Sequence, residues 1–206
     1  MAHDLIRLNV ARFRPGQDER PVMDSYSIPY HDDWVVLDAL QYVKDYIDGT
    51  LSFRWSCHMG VCGSCGMMVN GTPKLTCAAF LRDYYPRDVT VEPLSNFPVV
   101  RDLIVDIDDF MHKLEEVKPY IIRDDIAVAP IGYGNEFRQL PEQVGDYKQF
   151  SMCINCMLCY AACPVYGMEP RFLGPAAIAL AHRYNMDSRD QGRNQRMPII
   201  ASSEGI

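Results

Sequence analysis

The 206-residue chain contains no uninterrupted apolar run approaching the ~20 residues that cross a bilayer, so any membrane contact is expected to come through a partner. Its first residues, MAHDLIRLNV, offer no basic start, apolar core or small-residue cleavage site, and a reducing compartment is expected. Basic residues are in deficit: 20 Lys and Arg against 27 Asp and Glu give a formal net charge of -7. That balance argues against nucleic acid or an anionic lipid surface as the main partner. Low-complexity tracts are missing, as are a Ser-His-Asp set, a phosphate loop and a dinucleotide fingerprint.

What the chain does have is eight cysteines, gathered in two tight groups. The disulfide framework of a small secreted domain is a poor match at this length, so the thiols are available as ligands. With 48% hydrophobic residues, the chain can build a core without staples.

The first half reads as strand-rich with one helix. LIRLNVARF alternates, with Ile6, Leu8 and Val10 on one face, and SYSIPY is a second strand. WVVLDALQYVKDYIDG changes to helical period through Leu37, Leu40, Val43 and Ile47, with Asp32 or Asp33 to cap its start and Gly49 to close its end. Asn70-Gly71 predicts a type I′ hairpin turn, and DVTVEP a further strand. Together these predict a small mixed sheet of the β-grasp kind.

From about Asp106 the pattern turns helical. DIDDFMHKLEEV, CINCMLCYAAC and GPAAIALAHRYN are helix candidates, the last with Pro175 in its first turn. IIRDDIAVAPIGYGNEFRQLPEQ reads as a linker or surface loop. The fold class is α+β, with residues 1–105 as one domain and 106–206 as a helical second domain.

The first cysteine group sets Cys57, Cys62 and Cys65 at C-x4-C-x2-C, with Cys77 after eleven intervening residues. This is the plant-type [2Fe-2S] spacing. Gly60, Gly63 and Gly66 interleave the ligands, so the backbone can take positive φ and turn N–H groups toward sulfur. The rival is a structural zinc site. Zinc usually takes two C-x2-4-C knuckles, whereas here three thiols share one glycine-rich loop. With four cysteines present, His58 reads as a loop residue rather than a ligand.

The second group, Cys153, Cys156, Cys159 and Cys163 followed by Pro164, is C-x2-C-x2-C-x3-C-P, the bacterial-ferredoxin run. In such runs the first three thiolates serve one cubane and the fourth serves another cluster. The plainer alternative is that all four hold one [4Fe-4S] cluster.

A plant-type loop followed by a bacterial-type run resembles the iron-sulfur subunit of the succinate dehydrogenase and fumarate reductase family. The likeness runs from about Leu5 to the last residue, through RWSCHMGVCGSCGMMVNGTPKLTC, LIVDI, CINCMLCYAACP and GPAAIALAHRYNMDSRD. The wording is closer to fumarate reductase. Ubiquinone-reducing succinate dehydrogenases usually carry a serine and tryptophans after the cysteine-proline, where this chain has PVYGMEPRF.

The resemblance implies a plant-type ferredoxin-like domain and a helical bacterial ferredoxin-like domain. It implies three clusters: [2Fe-2S] on Cys57, Cys62, Cys65 and Cys77, [4Fe-4S] on Cys153, Cys156 and Cys159, and [3Fe-4S] with Cys163. It also implies an FAD-containing flavoprotein partner handling fumarate and succinate, small hydrophobic membrane-anchor subunits and menaquinone. The subunit is then expected on the cytoplasmic face of the cell membrane. The family's further cysteine-rich segment would bring one more [4Fe-4S] ligand and two for [3Fe-4S], and the chain is expected to be a fragment or truncated product ending before it. The alternative is a freestanding two-cluster electron carrier.

Few other residues invite a role. Asp106, Asp108 and Asp109 read as charges at a helix N-terminus. Met67, Met68, Met152 and Met157 read either as apolar shielding of the clusters or as ordinary core residues. His112 and His182 read as surface or core-satisfied residues.

Overall fold

The computed structural model describes residues 4–124, 136–203 and 205. The chain divides into two compact units, Met1–Ile107 with Ile154–Ala162, and Asp108–Cys153 with Cys163–Ile206. The sequence reading places 154–162 in the helical half, whereas this segment groups with the first unit.

In the first unit, β1 (Leu5–Arg12) and β2 (Val22–Pro29) are followed by α1 (Val36–Tyr42). After an irregular loop come β3 (Gly66–Val69), β4 (Thr72–Leu75), β5 (Val89–Glu92), β6 (Val99–Arg101) and β7 (Ile104–Val105). Five strands form one sheet in the order β2-β1-β5-β3-β4, and β6 and β7 form a separate ribbon. β1 runs antiparallel to β2 but parallel to β5, so the intervening chain must cross over, and α1 lies in that crossover. Ile6, Leu8 and Val10 alternate into the core. They meet Val36, Ala39, Leu40 and Val43 there.

The hairpin turn falls where the sequence predicts it, with Asn70 at φ 48° and Gly71 at φ 74° joining β3 to β4. Both ends of α1 differ from expectation. Its start is fixed by Asp38, whose carboxylate reaches back to accept the Val35 N–H at 2.8 Å, not by Asp32 or Asp33. Its end widens into a π-turn over Val43–Ile47, closed by the Asp48 N–H on the Val43 carbonyl at 2.7 Å. The left-handed stop expected at Gly49 is not used.

Arg12 continues the inward face of β1 and is fully buried. Its guanidinium donates to Asp102 at 3.0 Å, Tyr26 at 2.7 Å, Asp48 at 2.5 Å and Thr50 at 2.8 Å. Asp102 also accepts the N–H groups of Phe13 at 3.0 Å and Ser52 at 2.9 Å. One buried cation thus fixes both the ribbon turn and the strap that leads into the first cysteine loop. The burial is satisfied because every side of the guanidinium meets an acceptor.

The second unit is helical: α2 (Asp108–Glu116), α3 (Pro141–Gly145), α4 (Lys148–Ser151), then α6 (Pro164–Met168), α7 (Pro175–Asn185) and α8 (Arg193–Ile200), while α5 (Leu158–Ala161) belongs to the first unit. Pro175 opens α7 after Gly174, and Ala176, Ala177 and Ala181 make its buried face. Small side chains there let neighbouring helices approach closely. Part of the expected linker lies outside the described residues, and its last residues, from Pro141, begin α3.

CINCMLCYAAC is helical only over Leu158–Ala161, because Asn155 (φ 53°) and Met157 (φ 63°) take left-handed conformations that break a helix. Among the described residues no helix is long and apolar enough to cross a membrane.

Candidate iron-sulfur centres

The first cysteine loop is irregular from Leu51 to the start of β3. Its path is made by His58, Gly60 and Gly63, at φ 57°, 74° and 77°. These turns point backbone donors at sulfur. The Met59 N–H meets Cys57 Sγ at 3.4 Å, and the N–H groups of Cys57 and Ser64 both meet Cys62 Sγ at 3.5 Å. Thr76, just before Cys77, donates through its N–H at 3.1 Å and its hydroxyl at 3.0 Å to the Cys65 carbonyl. That pair of bonds carries the fourth cysteine back to the loop.

The four thiols sit in two environments. Cys65 and Cys77 are buried against Val35 and Leu37, with Phe53, Leu75 and Phe80 at the edge. Cys57 and Cys62 are half-buried. Hydrogen bonds from the Ser64 hydroxyl, and from the N–H groups of Cys57 and Ser64, draw the Cys62 thiol down to about 6. Burial, with Cys65 alongside, pushes Cys77 up to about 11.

The donor set fits a two-iron cluster. Bound metal would hold the buried thiols deprotonated, and N–H groups already aimed at sulfur suit a centre whose charge grows more negative on reduction. Among the described residues, no group of three or more His, Cys, Asp or Glu side chains is placed to hold one metal ion. A cluster with two irons shares four thiolates between them.

His58 has an anchoring contact that sequence reasoning missed. Its Nε2 lies 2.9 Å from Asp38 Oδ1, while Oδ2 of the same carboxylate holds the start of α1. A histidine preceded at a distance of 20 residues by a reachable acid on the helix before it is too weak a pattern to be found without the fold. Trp55, Met59 and Val61 are exposed around the loop.

In the second group, Cys156 and Cys159 belong to the first unit, and Cys153 and Cys163 to the second. Cys153 and Cys159 are exposed, and Cys156 and Cys163 half-buried. None of the eight cysteines, all among the described residues, is paired in a disulfide. Cys163 caps α6, its sulfur accepting the Tyr166 N–H at 3.5 Å. The Tyr166 hydroxyl donates to Asp109 at 2.8 Å, and buried Lys113 bonds the same carboxylate at 2.7 Å and the Pro170 carbonyl.

Asp108 and Asp109 lie in the first turn of α2, as expected of helix-start charges, and Asp106 precedes it. Met67 and Met68 are core residues, whereas Met152 is exposed. His112 and His182 are both on the surface, the latter against the edge of Phe150.

A glycine-rich loop of three thiols joined by a fourth after the hairpin, on a mixed sheet and together with a second four-cysteine run, is the make-up of an iron-sulfur electron-transfer protein. Residues 7–112 match the family model of a 2Fe-2S iron-sulfur cluster binding domain. The chain is 57% identical over 202 residues to the fumarate reductase iron-sulfur subunit of Mycobacterium tuberculosis, covering 98% of this chain and 81% of that one. It is 37% identical over 201 residues to the succinate dehydrogenase iron-sulfur subunit of Paracoccus denitrificans, covering 97% and 75%. Among solved structures, it matches a chain of the Mycobacterium smegmatis Sdh1 complex in the apo form, with a TM-score of 0.82 and 27% identity, over 100% of this chain and 90% of that one. The chain belongs to the iron-sulfur subunit family of fumarate reductase and succinate dehydrogenase, a component of an oxidoreductase complex.

Proposed function

We propose that this chain is the subunit that relays electrons between an FAD-containing flavoprotein, where fumarate and succinate interconvert, and menaquinol held by small hydrophobic membrane-anchor subunits. Menaquinol and a place on the cytoplasmic face of the membrane are what the resemblance to fumarate reductase implies for this chain. The first unit is a β-grasp, plant-type ferredoxin-like domain, and the second a helical, bacterial ferredoxin-like one. The observation that carries the reading is the cysteine loop of the first unit, whose N–H groups converge on Cys57 and Cys62 while Cys65 and Cys77 are shut away from water.

In this assignment Cys57, Cys62, Cys65 and Cys77 hold [2Fe-2S], Cys153, Cys156 and Cys159 are ligands of [4Fe-4S], and Cys163 is a ligand of [3Fe-4S]. The clusters supply reversible one-electron storage. The chain's own residues orient the thiolates, donate hydrogen bonds to sulfur and exclude water from the buried pair. Hydrogen bonding and burial are the levers by which a protein sets a cluster's potential.

Cys57→Ser and Cys62→Ser test the assignment. Each is expected to perturb the [2Fe-2S] spin-resonance signal of the complex, while dye-linked succinate oxidation at the flavoprotein is partly retained. Unchanged spectra in both variants would sink the ligand set.

A further inference from the structure

Gly63 and Gly66 differ from the other glycines of the cysteine loop and hairpin. A side chain at Gly60 or Gly71 would enter open space, so these two glycines answer only to backbone conformation. A Cβ on Gly63 would lie 2.8 Å from the Ile154 carbonyl oxygen and 2.9 Å from Cys156 Cα. One on Gly66 would lie 2.9 Å from the Cys156 carbonyl oxygen and 3.2 Å from Leu158 Cδ2. Most of these atoms are backbone and cannot swing aside as a side-chain tip can. Gly66, moreover, has no left-handed φ that would call for glycine. Its missing side chain is needed for the contact alone, the situation in which a strand glycine marks close backbone approach.

The segment pressed against these glycines is held from its other end. Asn96 Nδ2 donates to the carbonyls of Tyr160 at 2.9 Å and Ala161 at 3.3 Å, and the Phe97 and Tyr160 rings lie 6.3 Å apart. Cys65 precedes Gly66 directly, and Cys156 is the residue Gly66 touches. One glycine therefore separates a cysteine of the first group from a cysteine of the second.

We propose that Gly63 and Gly66 are positioning residues that set the gap between the two cysteine groups, and with it the rate at which an electron passes from one centre to the next. This rests on the reading of both groups as cluster ligands. The glycines act through distance alone: the electron lost by one centre is the electron gained by its neighbour, and no bond or proton changes. Tunnelling falls steeply with separation, so a methyl group wedged between Gly66 and the Cys156 backbone slows the transfer without replacing any thiolate.

The test uses the complete complex carrying Gly66→Ala, with Asn96→Ala as a second variant that loosens the seat without adding atoms, and Gly71→Ala as a control for glycine replacement away from the contact. In reduced complexes, the microwave power that half-saturates the [2Fe-2S] signal reports how strongly the neighbouring centre relaxes it. Gly66→Ala is expected to keep its iron content and both signals, and to lower that power several-fold. Dye-linked succinate oxidation is expected to hold while quinone-linked turnover falls several-fold. Asn96→Ala should move both readouts the same way by less, and Gly71→Ala should leave the saturation at the parental value.

Parental saturation and turnover in a fully loaded Gly66→Ala complex would overturn the proposal. If that variant does not assemble, parental values in Asn96→Ala would overturn it equally. A parental complex with no second signal would instead remove the reading of Cys153, Cys156 and Cys159, and the inference with it.

Discussion

Ser64 stands between two cysteines of the first group and serves the earlier one twice, through its hydroxyl and its N–H. Each bond favours negative charge on the Cys62 sulfur, so losing one should make reduction harder. Ser64→Ala keeps the backbone donor and removes only the hydroxyl. At about 0.5–1.5 kcal/mol for a net hydrogen bond, the [2Fe-2S] midpoint potential is expected to fall by roughly 20–60 mV. Redox titration of the complex followed by spin resonance measures it, and an unchanged or higher potential would contradict the hydrogen-bonding argument. At this scale the gathering of Cys57, Cys62 and Cys65 on one glycine-turned loop was legible in the sequence, because their spacing is local. Arg12 was half legible: the alternation through Ile6, Leu8 and Val10 already points position 12 inward. What the pattern could not disclose was that Asp48, Tyr26, Thr50 and Asp102, scattered along the chain, would meet it there.

Among the elements, the β3–β4 hairpin was the most readable, since Asn-Gly is chosen by turn geometry and little else. Gly71→Ala places a side chain at φ 74° with no steric neighbour, so its cost is backbone strain alone, about 1–2 kcal/mol. Thermal denaturation should show that loss, and a variant as stable as the parent would mean that the turn relaxes. The core of α1 was readable too, from its helical period, but neither end was. Asp38 caps from inside the helix, and the Arg12 cluster claims Asp48, so the chain closes in a π-turn before Gly49 can act. The second cysteine run has the composition of a helix but forms one only over Leu158–Ala161. Its left-handed Asn155 and Met157 answer to the demand for a loop, which no propensity scale contains.

Over the whole molecule, each unit is fastened by carboxylates held beside arginines. In the first, hydrogen bonds from Thr50 and then Arg12 hold Asp48 well below the usual carboxylate range. In the second, burial alone would raise Asp187, but Arg189 and Arg183 outweigh it and bring the carboxyl down to about 2. Asp190 is likewise lowered against its burial by Arg196. A folded pKa below the unfolded one means that the stabilisation is complete above the unfolded value, near 4, and is lost as pH falls through the folded value. For Asp187 that interval runs from about pH 4 to about pH 2 and is worth about 2 kcal/mol. Asp187→Asn should therefore lower the melting temperature at neutral pH, and the difference from the parent should narrow across the same interval. A gap that stayed constant down to about pH 2 would show that the ion pairs are not its source.

The chain passes between its two units at Ile107/Asp108, Cys153/Ile154 and Ala162/Cys163. The first unit is consequently not a continuous piece of polypeptide. During synthesis its sheet can form early, but the face bearing Gly63, Gly66 and Asn96 stays uncovered until residues 154–162 have left the ribosome. A gene cut after Ile107 would encode all four cysteines of the first group and still leave that face bare.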